Sequence, residues 1–315
     1  MKQPWVSPSD APTIEQSIHD YIVSIFRSER GRRLEIIPIS PNAEASRGWD
    51  AAVIEAVPLF FQYKLPDFTS RPAQSQPKAA EIRKTYGFKD DNGLFHFSLR
   101  KKAAKEPRSQ HDLMLSLESA GQKVYYVATD FIDQKRLRFG GDLHACGRPW
   151  IPRSHLFAAD LLGIREYTSP WFDGLICIPP FARVSDPVEN HKFLYNQNFE
   201  VSLHSEPAQA LGIPLVQVIA DQYALLGTDS SINENNVEKS IAAVLRSIAG
   251  GDNSEKTLSL VQDYYNSLYS GSRQYQHGIM GKLRSLAEVV KRLTGLDVFL
   301  AVRLEHRHFY TNTKS

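Results

Sequence analysis

Cysteine and long hydrophobic runs are both scarce in this sequence, and each shortage excludes a class of protein. Among 315 residues there are two cysteines, Cys146 and Cys177, which is too few for a disulfide framework. No apolar stretch reaches the length of a membrane-spanning helix, and no secretory hydrophobic segment is present. We therefore expect a cytoplasmic protein that does not insert into a membrane.

A large excess of one charge and a phosphate-binding glycine loop are also lacking. The formal net charge is +2 and the pI is about 8.4, so any surface for nucleic acid has to be a local patch. The Gly-Gly pairs are not followed by Lys and Ser or Thr, so ATP use is not implied. Structural zinc is not expected either, because no Cys-x-x-Cys pair accompanies the irregularly spaced His144, Cys146, His155 and Cys177.

The sequence does contain enough apolar material for a sizeable core. Hydrophobic residues make up 42% of the chain, which suits one large domain or two smaller ones. Residues 13–27 are predicted to form an amphipathic helix with Thr13 as its N-cap and Glu15 in its first turn. Leu34 to Ile39 is a predicted strand, and a polar connection that carries Glu44 follows it.

The most informative stretch contains Asp50 and, after a short gap, Gln62 and Lys64. The segments 49–57 and 58–64 are both apolar enough to be strands, and we predict that they pair as a hairpin. The two-residue period of a strand places the Gln62 and Lys64 side chains on one face. In such a hairpin Asp50 lies beside them, so that a carboxylate, an amide oxygen and an ammonium group meet.

These three groups suit chemistry on a phosphodiester. Mg²⁺ prefers oxygen ligands and retains several waters, so Asp50 and the Gln62 oxygen are the predicted metal ligands, with Mn²⁺ as the alternative ion. Lys64 would support the attacking hydroxide or neutralise the charge that develops in the transition state. The alternative is that Gln62 and Lys64 lie on the solvent side of an edge strand.

The series Gly48-Trp49-Asp50, a short gap and Gln62-Tyr63-Lys64 resembles the core signature of the PD-(D/E)XK nuclease superfamily. It is similar to the Gln-x-Lys variant of Mrr-type restriction endonucleases. The fold of that family runs helix, strand, strand, helix, strand, and the predicted elements of residues 13–130 follow the same order. The resemblance implies an α/β protein with a restriction-endonuclease-like mixed β-sheet flanked by helices.

The resemblance also implies a role for each residue of the motif. Asp50 and Gln62 would bind the metal ion, Lys64 would assist the nucleophile, and either Glu15 or Glu44 would complete the metal shell. From the residues alone, Glu15 is equally well a first-turn acid favoured by the helix dipole, and Glu44 a solvated loop residue. Gln62 stands where many family members carry Asp or Glu, which removes a charge from the metal site.

A basic segment follows the candidate strand. From Arg71 to Arg108 there are ten Lys or Arg residues against four acids, and aromatic residues are interspersed among them. Phosphate neutralisation together with aromatic stacking holds nucleic acid with little sequence preference. Runs of charge are more often only solvated surface, yet this one directly follows the candidate strand. We therefore predict a surface for DNA, with RNA as the alternative, at Arg100, Lys101, Lys102 and Lys105.

The helix and strand that come next complete the predicted core. Gln110 to Ala120 is predicted to be a helix closed by Gly121, and Lys123 to Thr129 a buried strand. In branches of the nuclease superfamily a polar residue of this helix approaches the site, and Gln110 or His111 stands in that position. His111 could instead cap the helix or lie in solvent.

The chain is expected to divide into a nuclease-like domain at residues 1–185 and a mainly helical accessory region at 186–315. Leu296 to Leu304 is a predicted final strand. The accessory region would cover the sheet or offer a surface to a second copy of the chain or to a defence-system partner protein. Its helices are predicted from apolar residues at helical spacing, at 236–249, 254–268 and 281–293.

Two functions from different classes are consistent with this pattern. The first is a divalent-metal-dependent nuclease that hydrolyses DNA phosphodiester bonds, in restriction or phage defence as the resemblance suggests. The second is a catalytically silent, nuclease-like protein that binds nucleic acid or an assembly partner. Gln62 keeps the second hypothesis open. Lys64 argues against it, because a scaffold has no reason to hold an ammonium group beside Asp50.

Overall fold

The computed structural model describes residues 34–38, 51–69, 93–102, 104, 108–130, 132, 175–196, 198–203, 208–226, 228–229, 231–250, 255–271 and 278–306. The strands are β1 (Leu34–Pro38), β2 (Ala51–Lys64), β3 (Asp67–Thr69), β4 (Leu94–Ser98), β5 (Lys123–Thr129), β6 (Leu175–Ile178), β7 (Lys192–Tyr195), β8 (Glu200–Leu203), β9 (Ala208–Leu211), β10 (Ile213–Pro214) and β11 (Asp297–His306). The helices are α1 (Gln110–Ser119), α2 (Leu215–Leu225), α3 (Val237–Ala249), α4 (Glu255–Gly271) and α5 (Gly278–Thr294). This part of the chain is therefore a mixed α/β protein.

A six-stranded sheet, in the order β1-β11-β2-β5-β6-β10, contains the candidate strand β2. The β2 and β5 strands are parallel neighbours, whereas the other ladders of this sheet are antiparallel. Parallel neighbours need a crossover connection, and α1 lies between β2 and β5 in the chain. The carboxyl ends of β2 and β5 consequently lie at the same edge of the sheet, close to the start of α1.

A second sheet of five antiparallel strands has the order β3-β4-β7-β8-β9. It packs against the first through aromatic side chains: the Tyr126 ring on β5 lies 5.5 Å from Phe97 on β4 and 5.3 Å from Phe193 on β7, centroid to centroid. The Tyr195 hydroxyl donates a hydrogen bond to the carbonyl oxygen of Thr129, at the end of β5. The two sheets therefore share one core.

The two faces of β2 bury different partners. Phe60 packs in a core with Met114 and Leu117 of α1, which are both fully buried. Phe61 points to the opposite face, where its ring centroid is 5.2 Å from that of Phe299 on β11. Because Gln62 and Lys64 alternate with Phe61 and Tyr63, they share the face of Phe60, which α1 covers.

Capping residues fix the ends of α1. The Ser109 side chain accepts a hydrogen bond from the Asp112 backbone N–H, and the Asp112 carboxylate accepts one from the Ser109 backbone N–H. This reciprocal pair is a capping box. Gly121 follows the helix with a φ of +81°, a left-handed conformation in which glycine avoids the strain of a side chain. The predicted helix Gln110 to Ala120 is confirmed.

Most other predicted elements within the described residues are also found. The strands predicted at 34–39, 123–129 and 296–304 correspond to β1, β5 and β11. The helices predicted at 236–249, 254–268 and 281–293 correspond to α3, α4 and α5. The helix predicted at 13–27 lies outside the described residues.

The predicted hairpin between residues 49 and 64 is wrong. Residues Ala51–Lys64 form one continuous strand, and β11 pairs along its length from Phe61 to Ala51. Pro58 does not form a turn, because it lies between the Ala56–Ile232 bridge and Leu59, the first residue paired with β5. At that position no ladder hydrogen bond is required of the proline nitrogen. A partner strand from the far end of the chain replaces the expected local pairing.

The boundary expected at residue 185 does not separate the two sheets. Strand β11 lies between β1 and β2, and the five-stranded sheet combines β3 and β4 with three strands that follow residue 185. The second part of the chain thus contributes strands as well as helices α2 to α5. Within the described residues, each helix is too short or too polar to cross a membrane.

Candidate functional site

Polar side chains gather at the carboxyl ends of the parallel strands β2 and β5. Gln62 pairs in register with Tyr126, and Lys64 with Ala128. Residues in register on parallel strands point to the same face, so these side chains all lie beneath α1. The expected placement of Gln62 and Lys64 on one face is confirmed, and both are half-buried.

Gln62 is held by a chain of amide hydrogen bonds. Its Nε2 donates to the Tyr63 carbonyl oxygen at 3.1 Å, and its Oε1 accepts from Nε2 of Gln110. The same Gln110 nitrogen donates to the carbonyl oxygen of Thr294, at the end of α5, at 2.8 Å. Because backbone carbonyls only accept, these contacts fix which end of each amide is the nitrogen. The Gln62 side chain is therefore part of a polar connection between β2, α1 and α5.

The Lys64 ammonium group lies over an aromatic ring. Its Nζ is 5.7 Å from the centroid of Tyr126, a distance at which a cation is attracted to the face of the ring. The Tyr126 hydroxyl in turn contacts Nδ1 of His111 at 2.8 Å. The position of the ammonium group is thus linked through Tyr126 to the first turn of α1.

His111 is neutral, and its tautomer follows from its contacts. Its Nε2 is 2.7 Å from the Ala182 carbonyl oxygen, which can only accept, so Nε2 carries the proton. Nδ1 therefore accepts from the Tyr126 hydroxyl. Burial lowers the pKa of His111 below its ordinary value of 6.5, and burial raises the pKa of Tyr126. Near neutral pH the two groups beside Lys64 consequently carry no charge.

The sequence indicated some of these residues and missed others. Gln110 was expected near the site and contacts Gln62, whereas His111 neither caps α1 nor lies in solvent, since it is 1% exposed. The prediction that His111 lies in solvent is wrong because both of its ring nitrogens have partners within the protein. These partners, Tyr126 and Ala182, are distant in sequence. Tyr126 was not anticipated at all. Its only sequence signal was its place in the apolar strand β5.

The predicted acids lie outside the described residues. This applies to Glu15, Glu44 and Asp50, so the structure does not test them as metal ligands. Asp50 directly precedes Ala51, which begins β2, and with a rise of about 3.3 Å per residue Ala51 and Gln62 are roughly 35 Å apart along the strand. The convergence of Asp50 with Lys64 depended on the hairpin and loses that support.

The residues that the structure describes do not by themselves fit Mg²⁺ or Mn²⁺. No group of three or more His, Cys, Asp or Glu side chains suited to a metal is found among them. The Asp112 carboxylate is engaged in the cap of α1, and the Gln62 oxygen accepts from Gln110. A carboxylate that the motif did not indicate, Asp130, follows β5 at the same end of the sheet. One acid and one engaged amide are too few for a divalent-metal site.

Part of the predicted basic surface is close to this site. Arg100, Lys101 and Lys102 are exposed, while Lys105 lies outside the described residues. A Cβ placed on Gly295 would lie 3.6 Å from Nη1 of Arg100 and 3.2 Å from Nε2 of Gln110, so both side chains meet at that glycine. The Lys101 ammonium is 3.5 Å from the Glu189 carboxylate. Arg100 is therefore close to Gln110, the residue that contacts Gln62.

Chemically, this arrangement can hold an anion beside Lys64, near two neutral groups, Tyr126 and His111, whose positions are fixed by hydrogen bonds. The tyrosine and histidine position the ammonium without neutralising it. The Gln62 amide is held in place by Gln110. No family model, curated protein or solved structure matches this chain, so the case for its function depends on its own residues and their geometry.

Proposed function

We propose that this chain is a nuclease that acts on DNA at the carboxyl ends of β2 and β5. The observation that carries the proposal is the position of Gln62 and Lys64. They lie two residues apart on the same face of β2, beneath the first turn of α1. Ligands of open α/β sheets bind outside the carboxyl ends of the strands. The Gln-x-Lys pair is followed by a helix and a parallel strand, as in the family that the motif resembles.

Lys64 is the residue proposed to contact the scissile phosphate. Its ammonium is half-buried above Tyr126, where the attraction to an anion is stronger than in bulk water. A cation in this position would neutralise the charge that develops on a phosphate oxygen during cleavage. Tyr126 and His111 would hold Lys64 in place and contribute no charge of their own.

The exposed residues Arg100, Lys101 and Lys102 are proposed to bind the DNA backbone. They precede α1, whose first turn contacts the site through Gln110. Contacts of this kind supply affinity without sequence preference and weaken as salt is added. The surface would therefore orient a strand toward Lys64.

Cleavage assisted by Mg²⁺ or Mn²⁺ requires acids beyond those that the structure describes. Glu15 and Glu44 are the candidates that the resemblance implies, and both lie outside the described residues. Asp50 has no role in this proposal because Ala51, its neighbour, is at the opposite end of β2.

A second candidate function is nucleic-acid binding without cleavage. It is favoured by the contact between Gln62 and Gln110, since the oxygen expected on the metal already accepts a hydrogen bond. The amide pair would then connect β2 to α1, and Lys64 would bind a phosphate without activating it. This candidate uses the same surface and differs only in its chemistry.

A cleavage and binding assay on the full chain separates the two candidates. The substrates are single- and double-stranded DNA and RNA, tested with Mg²⁺, with Mn²⁺ and with chelator. A nuclease should cut in at least one metal and stop with chelator, and Lys64→Met should lower the rate by about 10²-fold or more. Binding is measured on the same substrates by fluorescence anisotropy.

Lys123→Met is the matched control, because Lys123 is an exposed lysine at the opposite end of β5. An equal loss of cleavage and binding in the two variants would show that Lys64 acts only through the overall charge of the protein. Binding without cutting under every condition would replace the nuclease proposal with the second candidate. Absence of both binding and cutting would contradict both.

A further inference from the structure

A cavity of about 140 Å³ lies between α1, α3, α4 and α5, and Gln110, the partner of Gln62, is one of its lining residues. Its apolar walls are Leu113, Ile248, Val261 and Leu293, one from each of these helices. An apolar cavity of about 150 Å³ is large enough to take up a benzene ring. This cavity can therefore take up an aromatic ring of a base between aliphatic side chains.

Burial gives the cavity an inner end and a mouth. Gln110 and Thr294, which both line it, are 5% and 3% exposed and form the inner end. Leu293 is 43% exposed, and Arg100 is also exposed, so these two residues form the mouth. A ligand would enter past a guanidinium group and reach an amide.

The amide at the inner end has an oxygen without a partner. Both hydrogen bonds of Gln110 described above are made by Nε2, which donates to Gln62 and to Thr294. Its Oε1 is buried and accepts no hydrogen bond from the residues that the structure describes. A buried acceptor left unmatched is costly, and native proteins leave few of them. A ligand with an N–H donor would satisfy it.

The cavity is also lined by Arg108, a cationic side chain whose hydrogen-bond partners are all neutral. Arg108 donates to the backbone oxygens of Ser247 at 3.3 Å and Asp112 at 3.0 Å, and to the Ser116 hydroxyl. Among the described residues no carboxylate pairs with it. Together with Arg100 at the mouth, this fixed guanidinium is suited to bind an anionic group such as a phosphate.

We propose that this cavity binds a nucleotide. The base occupies the aliphatic part and donates an N–H to Oε1 of Gln110, and the phosphate lies near Arg100 and Arg108. The nucleotide is either a free nucleoside monophosphate or an unpaired nucleotide of a nucleic-acid strand. Binding here requires no phosphodiester cleavage, so this inference is tested separately from the proposed function.

Isothermal titration calorimetry on the full chain tests the ligand chemistry. AMP, GMP, CMP and UMP are titrated singly, and at least one of them is expected to bind. For AMP, the matched probes are purine riboside 5′-monophosphate, which lacks the exocyclic N–H, and ribose 5-phosphate, which lacks the base. If the base donates to Gln110, the dissociation constant of each probe should be at least about tenfold higher than that of AMP.

Two exposed leucines provide a matched pair of variants. Leu293→Glu places a carboxylate at the mouth and should weaken nucleotide binding at least about tenfold, because it repels the phosphate. Leu260→Glu alters a leucine that is 62% exposed on α4 and does not line the cavity, so it should bind as the native chain does. Both positions are exposed, so both variants are expected to fold, which circular dichroism verifies.

The source of the nucleotide is identified with a 5′-phosphorylated single-stranded oligonucleotide and a blunt duplex. Tighter binding of the single strand than of free nucleotide, lost in Leu293→Glu, assigns the cavity to a strand end. Binding of the free nucleotide alone assigns it to a small-molecule effector. The proposal is overturned if none of the four nucleotides binds, if ribose 5-phosphate binds as well as AMP, or if Leu260→Glu and Leu293→Glu weaken binding equally.

Discussion

The strand pair β2 and β5 has an apolar end and a polar end, and the two ends differ in what they contribute. At the apolar end Leu59, Phe60 and Val124 are almost completely buried. At the polar end Lys64 and Tyr126 are linked to His111 through the hydrogen bond of the tyrosine hydroxyl. The same two strands thus pass from core to candidate site within a few residues.

The difference shows how polar groups can be buried next to a core without destabilising it. Gln62 and His111 each have a hydrogen-bond partner that is remote in sequence, which offsets the loss of water. Lys64 remains half-buried with its charge above a ring. The apolar end therefore stabilises the fold, and the polar end carries the side chains that can contact a substrate. Four experiments test this division.

The largest expected effect comes from the apolar end. Leu59 is 0% exposed, and Leu59→Ala should lower the free energy of unfolding by about 2–5 kcal/mol, because it removes buried methyl groups and leaves a cavity. Urea denaturation followed by circular dichroism measures it. Leu211→Ala, at a leucine that is 69% exposed, is the control and should change stability by less than about 0.5 kcal/mol. Similar losses in both variants would contradict the assignment of stability to this end.

A smaller effect is expected where the core meets the polar end. Tyr126→Phe removes the hydroxyl that donates to Nδ1 of His111 and leaves a buried acceptor unmatched, at a cost of about 1–3 kcal/mol. Tyr125→Phe is the matched control, since Tyr125 faces the other side of β5 and the structure gives its hydroxyl no hydrogen bond within the described residues. Equal unfolding midpoints for the two variants would show that the contact with His111 contributes nothing.

The pH dependence of stability tests the same contact. Burial holds the pKa of His111 below 6.5, so as pH falls below that value the unfolded chain binds a proton that the folded chain resists. Stability due to His111 is therefore present above pH 6.5 and decreases as the pH falls toward the folded pKa. Urea midpoints between pH 5 and 8 measure it, and His111→Gln should reduce the slope below pH 6.5. An unchanged slope would show that other groups control it.

The smallest expected effect on stability is at Lys64. Lys64→Met keeps an unbranched side chain only one atom shorter and removes a cation–π contact, which is worth about 0.5–1 kcal/mol at a partly exposed site. The same variant should lose most cleavage or phosphate binding. A loss of stability as large as that of Leu59→Ala, measured by the same denaturation, would mean that Lys64 is mainly structural.

The sequence by itself determined the features that depend on neighbouring residues. The helix at Gln110–Ser119 was predictable because its cap at Ser109 and its stop at Gly121 are local signals. The strand at Lys123–Thr129 was predictable from a short apolar run. The placement of Gln62 and Lys64 on one face also required only the two-residue period of a strand.

The tertiary structure decided which segments pair and which polar groups meet. Local apolar pattern could not show that β11, more than 200 residues away, would pair with β2 in place of a hairpin, because a strand's edges accept any partner of suitable register. For the same reason the sequence suggested that Gln110 or His111 approaches the site but did not show the partners that hold them, which are Gln62 and Thr294 for Gln110 and Tyr126 for His111. Each joins residues that only the packing of α1 against the sheet and α5 brings within hydrogen-bond distance.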